Sequence, residues 1–193
     1  MKTRMNNKML LAFGIAALLP AGSALAAEIS GGTVNFNGSV VTSACAISAT
    51  SASIEVDMGQ VRTATLATAG SESSTAKAFS IVLEDCAIAD TSGSTPTNPI
   101  PATTVAVTFT GTSGSDPDSL AVGSNGGTAY AQNVSIRIYD EQGSLVKLND
   151  PAAAVVLRNG SNTLNFSAKY YSRQGGATAG DASAVATYTV TYS

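Results

Sequence analysis

Cys45 and Cys86 are the only cysteines in a chain of 193 residues that contains no histidine. The missing imidazole, and the lack of further thiols, argue against a zinc shell or a reactive thiol. Other groups that could do chemistry are sparse. Glu84 and Asp85 adjoin each other, but neighbours in a strand point to opposite faces and cannot act as a facing acid/base pair. Asp116-Pro117-Asp118 offers too few oxygens for calcium, which takes six to eight, and reads as a solvated turn. Gly123, Gly126 and Gly127 lack the strand-to-helix setting and the lysine of a phosphate loop and read as loop glycines. Histidine is also the commonest group with a pKa near 7, so most hydrolytic mechanisms are disfavoured. No catalytic residue, metal ligand or cofactor site is expected.

The chain carries an export pattern. Lys2, Arg4 and Lys8 precede the apolar run Met9 to Leu19, and Ala24-Leu25-Ala26 supplies the small residues a signal peptidase reads. The expected organisation is a signal peptide over 1–26 and a mature chain over 27–193 of one domain. An apolar run of this length is short of the roughly 20 residues needed to span a bilayer, so no membrane insertion is expected. The expected mature chain keeps seven basic against thirteen acidic residues, a formal charge of −6, which disfavours nucleic acid as a partner. In an oxidising compartment Cys45 and Cys86 read as one disulfide, and closing a loop of about 42 residues stabilises by roughly 4 kcal/mol in the chain-entropy model.

Ser, Thr, Gly and Ala dominate the composition, and no window after the signal carries apolar residues at helical spacing over three turns. Seven segments have the composition of strands: 54–58, 79–83, 105–109, 134–139, 155–157, 164–170 and 185–192. Turn signals separate them, among them Gln142-Gly143, Asn159-Gly160 with its type I′ preference, and the glycine-rich stretches 123–127 and 175–180. Segment 90–101, with three prolines, reads as a polar loop. Short strands with frequent turns indicate an all-β sandwich.

An eighth strand-like segment stands apart. Thr33-Val34-Asn35-Phe36-Asn37-Gly38-Ser39-Val40 alternates apolar or small with polar residues, yet no turn signal folds it back as a hairpin before Cys45. It is either the first strand of its own sandwich or a strand in search of another sheet edge. Before Gly32 the alternation lapses, because Glu28 and Ser30 fall on the apolar face and Ile29 on the other. The pattern therefore starts at Thr33.

The order of signal, alternating segment with Phe36 and Gly38, Cys45 and then Phe79-Ser80-Ile81-Val82-Leu83-Glu84-Asp85-Cys86 resembles the pilins of the chaperone-usher pathway, in particular type 1 fimbrial major subunits. Gly180, fourteenth from the end, and the penultimate Tyr192 match the C-terminal signature of those pilins. Met58-Gly59-Gln60-Val61 and Arg158-Asn159-Gly160-Ser161-Asn162-Thr163 extend the resemblance over nearly the whole mature chain.

The resemblance implies an N-terminal donor-strand extension over 27–41 and, over 42–193, an incomplete immunoglobulin-like sandwich completed by a donor strand from a neighbouring subunit. Val34, Phe36, Gly38 and Val40 would form the donor face, Gly38 lying where the groove is shallow. The acceptor groove would run along the last strand, with Gly180, Ala186, Tyr188, Val190 and Tyr192; the odd-numbered Val185, Thr187, Thr189 and Thr191 would face away. A periplasmic chaperone would fill the groove first, and an outer-membrane usher would exchange it for the next copy's extension. The product would be a homopolymeric fimbria on the cell surface that supports adhesion. A minor adaptor or tip subunit of such a fimbria is the alternative, and an exported enzyme the remaining one.

Overall fold

The computed structural model describes residues 32–88, 103–123 and 129–193. The expected signal over 1–26, the loop 90–101 and most of the glycine stretch 123–127 lie outside the described residues. Contacts divide the chain into two units, Met1–Ser39 and Val40–Ser193.

In the second unit the strands are β1 (Ala46–Ile47), β2 (Ser71–Glu72), β3 (Lys77–Cys86), β4 (Thr104–Gly111), β5 (Leu120–Ala121), β6 (Ser135–Asp140), β7 (Leu145–Val146), β8 (Val155–Val156), β9 (Gly160–Ser172) and β10 (Ala186–Tyr192). One sheet runs β1-β3-β9-β6-β5, with β2 added to β9 and β7 to β6; the other runs β10-β4-β8. Every strand pair is antiparallel. The only helical element among the described residues is a 3-10 turn, Thr63–Leu66.

Period-two alternation builds the core. Ile81 and Leu83 of β3, Ile136 and Ile138 of β6, and Leu164, Phe166, Ala168 and Tyr170 of β9 are buried from the first sheet, and Val105, Val107 and Phe109 of β4 from the second. One residue breaks the period where it matters. After Ile81 and Leu83 the next inward position would be Asp85, but the β3–β9 register shifts between Leu83 and Cys86, and Asp85 takes φ 52°. This bulge leaves Glu84 and Asp85 exposed and turns Cys86 inward, where it is joined to Cys45.

Two expectations require correction. Residues 54–58 are extended but belong to no strand, although their burial alternates as a strand's would, with Ile54, Val56 and Met58 half-buried and Glu55 and Asp57 exposed. Among the described residues no backbone–backbone hydrogen bond involves 53–61, so the pattern is present and the partner strand is not. Asn159-Gly160 is not a type I′ hairpin turn: Gly160 has φ 89° but Asn159 has no positive φ, and β8 pairs with β4 in the opposite sheet. The pair marks a crossing between sheets. Gln142-Gly143 does close a hairpin, β6–β7, with Gly143 at φ 78° donating its N–H to Asp140.

Candidate functional site: an open groove beside the last strand

β10 is an edge strand. It pairs with β4 from Ala186 opposite Gly111 to Tyr192 opposite Val105, and among the described residues its other edge carries no strand. Ala186, Tyr188, Val190 and Tyr192 point inward and Thr187, Thr189 and Thr191 are exposed, yet none of the inward residues is fully buried. Across from this edge runs the unpaired segment 53–61. Between them lies a groove of about 990 Å³ whose lining includes Ile54, Met58, Phe79, Phe109, Ala186 and Tyr188.

Part of the groove lining is aromatic. The ring centroids of Phe109 and Phe166 lie 5.0 Å apart edge to face, Phe79 stacks on Phe166 at 5.7 Å, and Tyr188 stands 6.4 Å from Phe109. Tyr188 donates its hydroxyl hydrogen bond to the Ser51 carbonyl at 2.7 Å, and Tyr192 reaches the Cys45 carbonyl at 3.4 Å. Burial pushes both phenols above their ordinary pKa, which keeps them neutral donors.

Gly180 shapes the groove by close approach. A Cβ there would stand 2.5 Å from the backbone at Tyr130 and Ala131. The missing side chain lets Asp181 exchange hydrogen bonds with Ala129 and Ala131, and this fixes the segment that leads into β10. Gly180 therefore positions the groove wall.

The segment 32–41 has no ladder. Val34 is 74%, Phe36 91% and Val40 102% exposed, and a Cβ on Gly38 would meet nothing within 4 Å. All three share one parity along the segment, as does Gly38. Sequence reasoning missed Ile54, Val56 and Met58 as the opposing groove wall. Their alternation was visible, but it was read as a paired strand.

The reading of Asp116 as part of a solvated turn also fails. Asp116 is buried and accepts two hydrogen bonds from Arg137, at 2.8 and 3.0 Å. Arg137 lies 3.3 Å over the Tyr171 ring and donates to Glu72, which also accepts from Lys169 and Tyr139. These side chains share the outer parity of β6 and β9, so they form a polar network on the face opposite the core. Only the long-range fold brings them together. Among the described residues no three His, Cys, Asp or Glu side chains are grouped to hold a metal.

Residues 34–193 match the family described as "Fimbrial protein". The chain is 42% identical to a type-1 fimbrial protein A chain of Escherichia coli over 168 residues, covering 85% of this chain and 84% of that one. It is similar in structure to the P pilus rod subunit PapA, with a TM-score of 0.61 and 29% identity over 78% of this chain and all of that one. A subunit of a chaperone-usher pilus gives a TM-score of 0.65 and 28% identity over 85% and 96% of the two chains. The fold is thus the immunoglobulin-like sandwich of these subunits with one strand missing beside β10, and the chain belongs to the fimbrial protein family as a structural subunit.

Proposed function

We propose that the groove takes the extension of a second copy of this chain, so that each subunit completes the sandwich of its neighbour and the chain polymerises into a surface fimbria that supports adhesion. The observation that carries this is the pair of facing edges without a ladder, segment 53–61 and β10, each with half-buried apolar residues aimed at the space between. An unpaired edge over an incompletely covered core is unstable alone and is satisfied by an added strand.

The extension has the matching length and pattern. Residues 34–40 span roughly 23 Å when extended, the same seven residues as β10. Val34, Phe36 and Val40 on one face would contribute roughly 1.5–3 kcal/mol each on burial. Gly38 on that face would admit close backbone approach.

The same exposed edge needs protection before assembly, so a periplasmic chaperone is the expected first occupant and an outer-membrane usher the site of exchange. This route also fits the export pattern at the start of the chain. The chain acts by binding, without a catalytic step. Deleting residues 27–41 should leave a domain that still binds its chaperone and cannot donate to a preceding subunit. Normal fibres from this truncation would sink the reading, and so would surface extracts that run as monomers without boiling.

A further inference from the structure

We propose that Asn37-Gly38 is a spontaneous deamidation site that is open in the unassembled subunit and closed by strand pairing, so that unused subunits lose the ability to donate; the closing step rests on the donor role proposed above. Three Asn-Gly pairs occur in the chain. Asn125-Gly126 lies outside the described residues, and the other two form an internal comparison.

Asn37 and Gly38 are both exposed, belong to no ladder, and leave open space where a Gly38 Cβ would stand. Glycine has no side chain to shield its backbone nitrogen and the widest conformational freedom, so that nitrogen can reach the preceding side-chain carbonyl. Asn159 is also exposed, but its Oδ1 accepts a hydrogen bond from the Ile88 N–H at 2.9 Å, and Gly160 begins β9 opposite Cys86. Exposure is shared, and only the restraint differs.

The reaction needs no partner but water. The Gly38 nitrogen gives its proton to solvent base and attacks Asn37 Cγ; the bond from Cγ to the side-chain nitrogen breaks and ammonia leaves. The resulting five-membered imide takes up one water and opens at either carbonyl, giving aspartate or isoaspartate. A β-ladder holds Asn37 extended and keeps the nitrogen away from Cγ.

The two products have different consequences. Asn37 has the opposite parity to Val34, Phe36, Gly38 and Val40, so an aspartate there faces away from the groove. Isoaspartate instead inserts a carbon into the backbone and puts Gly38 and Val40 out of register with the acceptor edge. The glycine that suits the groove is thus the residue that makes its neighbour labile.

The test incubates full-length unassembled subunits and assembled fibres side by side at mildly alkaline pH and quantifies aspartate and isoaspartate at positions 37 and 159 by peptide mass spectrometry. In subunits Asn37 should convert about tenfold faster than Asn159 or more, because Asn159 must first break its anchoring bond. In fibres the Asn37 rate should fall to that of Asn159. Equal rates at the two positions in subunits overturn the proposal. Equally fast loss of Asn37 in subunits and fibres overturns the closing step, and the donor reading then still stands or falls by the 27–41 deletion. Asn37→Asp fibres should form at the wild-type level while aged subunits bearing isoaspartate stay out of new fibres. Failure of Asn37→Asp to assemble, or isoaspartate in freshly made fibres, refutes the backbone effect.

Discussion

β9 and β10 follow the same rule of composition, apolar or aromatic residues inward and polar ones outward, but they are buried to different extents. β9 is paired on both edges, by β3 and β6, and its Leu164, Phe166, Ala168 and Tyr170 are buried. β10 is paired on one edge only, and its Ala186, Tyr188, Val190 and Tyr192 remain half-exposed. The difference is one of neighbours and not of residue type. A strand with a core-like sequence and surface-like burial marks where the fold stops short of completion.

Three experiments can break or sharpen this contrast. The largest effect should come from supplying the missing neighbour: appending a copy of residues 33–41 after Ser193 through a flexible linker should stabilise the domain by roughly 5 kcal/mol, from burial of Val34, Phe36 and Val40. Denaturant unfolding measures it, and an unchanged midpoint would mean that β10 needs no partner.

Next in size, Phe166→Ala on the finished strand should cost about 3–5 kcal/mol with or without the appended segment. Val190→Ala on the unfinished one should cost under about 1.5 kcal/mol in the open domain and roughly twice that once the groove is filled. Equal costs for Val190→Ala in both forms would refute the idea that β10 completes its burial in assembly.

The smallest effect separates groove from outer face by pH. Burial, then the hydrogen bond and charge of Glu72, push the Tyr139 phenol up to about 12. The folded state holds that proton more tightly, so the contribution is present below the ordinary value of 10.0 and is lost as pH rises through about 12. At the other flank, burial alone would raise Glu72, but hydrogen bonds from Tyr139, Lys169 and Arg137 and the Lys169 charge outweigh it and hold Glu72 below 4.5. Its contribution is present above that value and fades as pH falls through the lowered one. Thermal unfolding against pH should therefore show both flanks in the domain, and Glu72→Gln should flatten the acid one. Filling the groove should leave the Glu72 flank in place and move the Tyr188 and Tyr192 phenols further up, which ultraviolet titration can follow.

Where apolar residues repeat at period two, the sequence was readable. The five segments at 79–83, 105–109, 134–139, 164–170 and 185–192 fall on β3, β4, β6, β9 and β10, and the inward face of β10 follows from Ala186, Tyr188, Val190 and Tyr192. Segment 155–157 falls on β8 through its β-branched composition alone, since both residues of that strand are exposed. The four unpredicted strands, β1, β2, β5 and β7, are two residues each, too short for a period to show. Segment 54–58 has the period without the ladder, because periodicity reports which side faces the core and not whether a neighbour is present. Asp116 looked solvated because its partner Arg137 lies 21 residues away in sequence. The bulge at Asp85 had no signal of composition, and its effect appears only in which way Cys86 turns.

That inward turn has a mechanical meaning. With the extension acting as the donor strand proposed above, the pull on one subunit in a fibre under tension would arrive through the segment just before Cys45, and β1, which follows, is only two residues long. The covalent link to Cys86 would then carry the load past that short strand and into β3. There the hydrogen bonds to β9 stand perpendicular to the strands, so a load along β3 would have to shear them together instead of parting them one at a time. A single extra residue in β3 thus ties the entry of the domain covalently into the longest ladder among the described residues.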